Sequence, residues 1–228
     1  MKPIFTIIIP VYNEEDIINN TINNVNKITG NNRIEILVVD SHPNNTTIKN
    51  INTKNIIKLT SNRGRGSQMN TGAKKSKGDI LIFLHADTIL PLNAFDEIYN
   101  IVIKRKIKAG AFDLSIDSKK KIFRIIEKLS SIRSWITRVP YGDQVHFFEK
   151  KFFFDLGMYK NIPIMEDVEI MKRIKKAKSK IKIIPKKIIT SARRWENEGI
   201  LRCTIRNWML ITLYTIGINP EKLIRFYR

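Results

Sequence analysis

The sequence predicts an α/β protein with a Rossmann-like, mainly parallel central sheet flanked by helices, followed by a helical C-terminal region. Three observations carry that prediction. Short apolar runs end on carboxylates at Asp40 (ILVVDSH) and Asp87 (IFLHADT), and a third acid, Asp167 in IPIMEDVEI, opens a helix. Apolar runs alternate with helical stretches at the spacing of βαβ units. The carboxyl ends of such strands are where open α/β sheets bind ligands.

Residues 4–10 (IFTIIIP) are too continuously apolar for a half-exposed strand and read as a buried parallel one. Asn13 caps a helix whose first turn, Glu14-Glu15-Asp16, carries the charge a helix N-terminus favours. Residues 33–40 and 55–60 are the second and third strands, with HPNNTTIKN supplying turn residues and a short helix between them. After SNRGRG a helix runs over 67–76. Residues 79–85 form the fourth strand, and Pro91 opens the next helix, a position proline tolerates.

Further along, 109–116 is a strand, 120–135 an amphipathic helix and 139–144 a loop. A short strand (145–148), a helix stopped by Gly157 (150–156) and a second helix (166–177) follow. Residues 181–184 and 188–190 are two strand candidates around Pro185, and a final helical region begins near Gly199. No repeat, low-complexity linker or composition break divides the chain, so 1–228 reads as one domain.

At 228 residues, with 43% hydrophobic and 27% charged side chains, the chain has the composition of a globular protein. A single cysteine, Cys203, excludes an intramolecular disulfide and fits a reducing cytoplasm. IFTIIIP is short and lacks a cleavage site, and the apolar stretch over 208–218 is well below the ~20 residues of a membrane span. The expectation is a cytoplasmic chain, soluble or lying on the inner face of the membrane. The net charge of +20 points to anionic partners: a nucleotide diphosphate or phospholipid headgroups. Part of it follows from an Ile-, Asn- and Lys-rich composition. The basic residues are scattered without a binding motif, which disfavours nucleic acid.

Several residues carry candidate chemistry. Asp40 stands at a strand end, as a cap or as a hydrogen-bond acceptor for a nucleoside. SNRGRGSQMN places Arg63 and Arg65 among glycines before a helix, where backbone and dipole favour phosphate. It lacks the Gly-Lys-Ser/Thr ending of a P-loop, so ATP hydrolysis is not implied. Asp87 could hold Mg²⁺ or Mn²⁺ against a diphosphate, since such hard ions take few protein carboxylates. His85, two residues earlier, lies on the same strand face. Without HExxH or a cysteine cluster, zinc is disfavoured. Glu166 and Asp167 open a helix, where one acid complements the dipole and the other could serve as a general base. In Arg193-Arg194-Trp195 the guanidinium fork matches phosphate oxygens.

In their order, IIIPVYNEEDII, VVD, the segment from SNRGRG to FLHADT, MED and RRW resemble the family 2 glycosyltransferases, which have the GT-A fold. RGRGSQMNTGA, GAF, PYGDQ and SARRW are similar to a small bacterial subgroup known as selenodomain-associated transferases. The likeness runs from about Ile4 to Tyr227. It implies a metal-dependent, inverting transfer from a nucleoside-diphosphate sugar, UDP-linked, to a hydroxyl acceptor that a lipid could carry. It divides the domain into a nucleotide-binding half (1–90), an acceptor and catalytic half (91–198) and a helical region (199–228).

By position, the resemblance puts Pro10, Tyr12, Glu14 and Asp40 at the nucleoside and Arg63 or Arg65 beside base or phosphates. Asp87 would bind the metal and Asp167 would be the base. Arg194 and Trp195 would close over the diphosphate, with Asp143, Gln144 and Glu166 on the acceptor side. The family's Asp-Gly-Gly-Ser-Thr-Asp turn is here Asp40-Ser41-His42-Pro43-Asn44-Asn45, and the metal motif is His-Ala-Asp. A sugar nucleotidyltransferase and a non-catalytic basic protein on the same scaffold are the competing readings. Against the first, VYNEED holds the place of a glycine-rich loop. The region after Gly199 interleaves Arg202, Arg206, Arg225 and Arg228 with apolar side chains, as a membrane-surface helix or a helix packed on the domain would.

Overall fold

The structure, a computed structural model, describes residues 3–227. Met1, Lys2 and Arg228, the last of the C-terminal arginines, lie outside the described residues. One eight-stranded sheet organises the chain. Its strands are β1 (Phe5–Val11), β2 (Ile34–Asp40), β3 (Ile56–Thr60), β4 (Ile80–Phe83), β5 (Thr88–Ile89), β6 (Ala109–Asp117), β7 (His146–Glu149) and β8 (Ile181–Ser191). They lie in the order β3-β2-β1-β4-β7-β6-β8-β5. The first four in that order are parallel, β7 is antiparallel to both neighbours, and β6 and β8 are again parallel.

The central strands are largely apolar because both sheet faces are covered. Among the described residues ten α-helices pack around them: α1 (Ile18–Ile28), α2 (Thr46–Lys49), α3 (Arg65–Lys75), α4 (Ala94–Tyr99), α5 (Lys121–Thr137), α6 (Lys150–Asp155), α7 (Glu166–Lys176), α8 (Arg193–Glu198), α9 (Ile200–Thr215) and α10 (Pro220–Leu223). One core joins β1, α1 and α4 through Phe5, Ile18, Ile22 and Phe95, and the other joins β4 to α6 and α7 through Phe83, Phe153 and Ile170. Each such fully buried side chain contributes roughly 1.5–3 kcal/mol.

Four expectations are corrected. Residues 15–17 form a turn and α1 starts only at Ile18, because Glu14 is held by tertiary contacts, its N–H donating to Thr47 Oγ1 and its carboxylate accepting from Arg193. The helix after SNRGRG begins at Arg65, so that arginine belongs to its first turn. Pro91 precedes the next helix by a turn, its carbonyl accepting from Ala94. The two strand candidates around Pro185 are one strand, β8, whose register against β6 shifts between Phe112 and Asp113, accommodating the proline.

Candidate active site

The C-terminal ends of β1, β2 and β4 meet at one edge, since Val11 pairs with Asp40 and Ile8 with Phe83. Parallel pairing therefore brings Tyr12, Asp40 and the His85–Asp87 segment to the same side of the sheet. Asp40 is fully buried, and its carboxylate accepts from the backbone N–H groups of His42, Thr47 and Ile48. It thereby caps α2 and shapes the 42–47 loop. That loop carries His42 to 5.2 Å from the Tyr12 ring, and Arg63 lies 4.8 Å above the same ring. Pro10 is half-buried near the end of β1, two residues before Tyr12.

The two glycines of SNRGRG serve the backbone. Gly64 has a φ of 128°, and a Cβ on Gly66 would come 2.7 Å from the Lys160 carbonyl oxygen. α3 therefore docks directly against the segment leading to α7, and Arg65 enters the same space as Glu166 and Asp167. The guanidinium of Arg65 is held well above its ordinary value, first by the Tyr227 oxygen and then by those two carboxyls, against the effect of its own burial.

Asp167, at the start of α7, is positioned by two backbone donors, Gly142 at 2.7 Å and Val168 at 2.8 Å. A Cβ on Gly142 would lie 3.3 Å from Asp167 Oδ2 and 3.6 Å from His85 Nε2, so carboxylate and imidazole wall the same small space. Burial, with Arg65 adding to it, drives the His85 pKa down to about 3, leaving the ring neutral at pH 7. Glu166, turned inward, is raised to about 7 by burial and then by Asp167. Asp143 is raised to about 6, again by burial first, with Arg133 opposing and Asp167 and Asp87 reinforcing. Its Oδ1 is buried and has no hydrogen-bond partner. Gln144 next to it points into the protein, bonded to Ser134, Arg133, Tyr141 and the Phe112 carbonyl.

Asp87 is half-buried, and its charge is felt at Glu14, Asp143 and Arg193. Glu14 is raised by burial and held down by Arg193, which donates to it at 2.9 Å. Among the described residues no three His, Cys, Asp or Glu side chains gather as a metal site. A lone carboxylate with a second acid nearby still fits a hard divalent ion that completes its shell with phosphate and water, and it does not fit zinc.

The RRW segment divides. Arg193 faces Glu14, whereas Arg194 donates to Glu198 at 3.2 Å and to the Tyr227 hydroxyl at 2.5 Å. Trp195 packs edge-on against Phe123, and its buried Nε1 has no partner. Arg65, Asp87, Asp143, Glu166 and Asp167 thus share one field with Glu14, while Asp40, Gln144 and Trp195 are engaged within the protein. Tyr227, Arg133 and Tyr141 carry no local signal in the sequence. They reach the site only through the docking of the C-terminal segment and of α5.

Comparison with known proteins identifies the family and the fold. A family model described as glycosyl transferase family 2 matches residues 6–160, more than half of the chain. The poly-beta-1,6-N-acetyl-D-glucosamine synthase of Staphylococcus aureus (strain MSSA476) is 26% identical over 181 residues, covering 72% of this chain and 44% of the relative. The poly(ribitol-phosphate) beta-N-acetylglucosaminyltransferase TarP of Staphylococcus aureus (strain N315) is 31% identical over 107 residues, 42% of this chain and 32% of the relative. The chain thus spans less than half the length of either curated relative. Among solved structures, the mannosyltransferase PcManGT of Pyrobaculum calidifontis, in complex with GDP-Man and Mn²⁺, superposes with a TM-score of 0.68 at 16% identity. That match covers 97% of this chain and 67% of the other, and it shows the GT-A fold.

Proposed function

The chain belongs to glycosyl transferase family 2, and from that premise we propose that it moves a sugar from a nucleoside-diphosphate donor, UDP-linked, to an acceptor hydroxyl with inversion. The observation that carries this reading is the shared field of Asp87, Asp143, Asp167 and Arg65 at the carboxyl edge of the sheet. N-acetylglucosamine, the sugar in both curated relatives' names, is the first donor sugar to test.

In this reading Asp167 takes the proton of the attacking hydroxyl. The Gly142 and Val168 N–H groups fix its carboxylate, so little reorganisation is needed as that proton arrives. His85, neutral, borders the same space without adding a competing positive charge. Arg65 and Arg194 supply guanidinium groups toward the departing diphosphate. Asp87 would hold a divalent cation, Mg²⁺ or Mn²⁺, whose charge when bound neutralises phosphate oxygens. Tyr12, with His42 and Arg63 around its ring, offers a flat surface for the base.

A donor panel of UDP- and GDP-sugars, read by nucleoside-diphosphate release and by mass spectrometry of the product, tests the proposal. UDP release that needs Mn²⁺ or Mg²⁺ is the expected result. Pyrophosphate release would point to a nucleotidyltransferase instead, and no turnover with any donor would refute the assignment.

A further inference from the structure

Two helices of this protein turn an apolar stripe away from its core. On α5, Ile125, Leu129, Ile132 and Ile136 recur at i, i+4, i+7 and i+11 and are all exposed, Ile136 by 77%. The buried residues of the same helix, Phe123, Glu127 and Ser134, occupy the opposite side. On α9, Leu201, Ile205, Trp208 and Met209 repeat the pattern, with Leu201 68% and Trp208 53% exposed. Cys203 and Leu210 form its inward side.

The start of α5 lies against α8, which leads into α9. Ile122 and Ile126 of α5 and Ile200 of α9 pack on the same buried cluster, Phe123 meets Trp195, and Lys120 pairs with Glu196 at 3.6 Å. Exposed basic side chains outnumber acidic ones around the stripes. Exposed charged residues of α5 are Lys121, Arg124 and Lys128, the helix's one acid, Glu127, being buried. α9 carries no acid; its exposed basic residue is Arg202, whereas Arg206 is turned inward and pairs with Glu198.

We propose that α5 and α9 together form a docking face for an anionic lipid surface. Apolar side chains would enter the headgroup boundary while the flanking arginines and lysines meet lipid phosphates. A second copy of the chain is the poorer occupant, because face-to-face contact would set basic side chains against basic side chains on molecules of net charge +20. The assignment goes beyond the sugar-transfer reading and does not depend on it, since none of these side chains belongs to the active site.

The test is co-sedimentation of the full chain with vesicles of phosphatidylcholine alone and of phosphatidylcholine with phosphatidylglycerol. A second readout is the emission of Trp208, isolated as the part of the tryptophan signal that Trp208→Phe removes, since the chain has two further tryptophans. Binding to the anionic vesicles with a blue shift of Trp208 is expected. Ile132→Glu and Ile205→Glu should each weaken partition at least tenfold while melting temperature and turnover of a water-soluble acceptor stay unchanged. If Ile132→Glu fails to fold, Ile136→Ser replaces it and should weaken partition severalfold. Absence of wild-type binding, or stripe variants that partition like wild type, would overturn the proposal. So would a dimer in solution that dissociates in the stripe variants. Loss of sugar transfer alone, with vesicle binding intact, would count only against the activity assignment.

Discussion

The backbone N–H of Gly142 donates to Asp167 Oδ2 at 2.7 Å, joining the turn after α5 to the first residues of α7. The bond runs between segments 25 residues apart, so the orientation of this carboxylate is a tertiary property that α7 cannot set alone.

Asp167→Asn keeps the shape of the side chain and removes its ability to take a proton. A positioned base is worth ~10²–10⁴-fold in rate. Turnover should fall by that factor with nucleotide affinity nearly unchanged, as steady-state kinetics and calorimetry would report. Wild-type kcat in this variant would remove Asp167 from the role.

Gly142→Ala places a methyl group 3.3 Å from Asp167 Oδ2, so the carboxylate must give way by a few tenths of an ångström. A loss of roughly tenfold in kcat with only a small change in melting temperature is expected, because small misplacements at a reacting group act on rate before they act on stability. Equal kcat in the two proteins would show that the Gly142 contact does not set the geometry.

Glu166 binds its proton more tightly in the folded state, at about 7, than the ordinary carboxyl value. Between roughly pH 4.5 and 7 the folded state therefore holds more protons than the unfolded one, and this group's contribution to stability declines as pH rises through that window. His85 works the opposite way, its depressed value costing stability as pH falls below about 6.5. Glu166→Gln should remove the first effect. The variant gains on the order of 1–3 kcal/mol relative to wild type on going from pH 5 to pH 8. Denaturant melts at the two pH values would show it, and a constant difference between the proteins would contradict it.

Asp87→Ala should weaken nucleotide binding in the presence of Mn²⁺ and leave the weaker metal-free binding nearly as it was. Paired calorimetric titrations with and without the ion read this directly. An equal loss under both conditions would mean that Asp87 contacts the nucleotide itself.

Much of this layout was legible in the sequence, for reasons that differ by element. The parallel strands announce themselves because a strand buried on both faces must be continuously apolar, as IFTIIIP and ILVVD are. Asp87 and Asp167 were visible because each interrupts or follows such a run. The start of α1 was misplaced because Glu14, Glu15 and Asp16 satisfy every local preference for a helix terminus, and contacts of Glu14 with Thr47 and Arg193, distant in sequence, override them. Tyr227 was invisible for a different reason. It reaches Arg65 and Arg194 because Leu210, Leu223 and Ile164 pack the C-terminal segment back on the domain, a contact no local pattern encodes.

The two-residue strand β5 pairs Thr88 with Thr190 and Ile89 with Ile189. It thereby ties the residue that follows Asp87 to a point three residues before Arg193. The separation of that carboxylate from that guanidinium is gauged by a rivet rather than by either loop. A side chain too large for the buried Thr88 or Thr190 would leave Asp87 and Arg193 chemically intact and shift the one relative to the other.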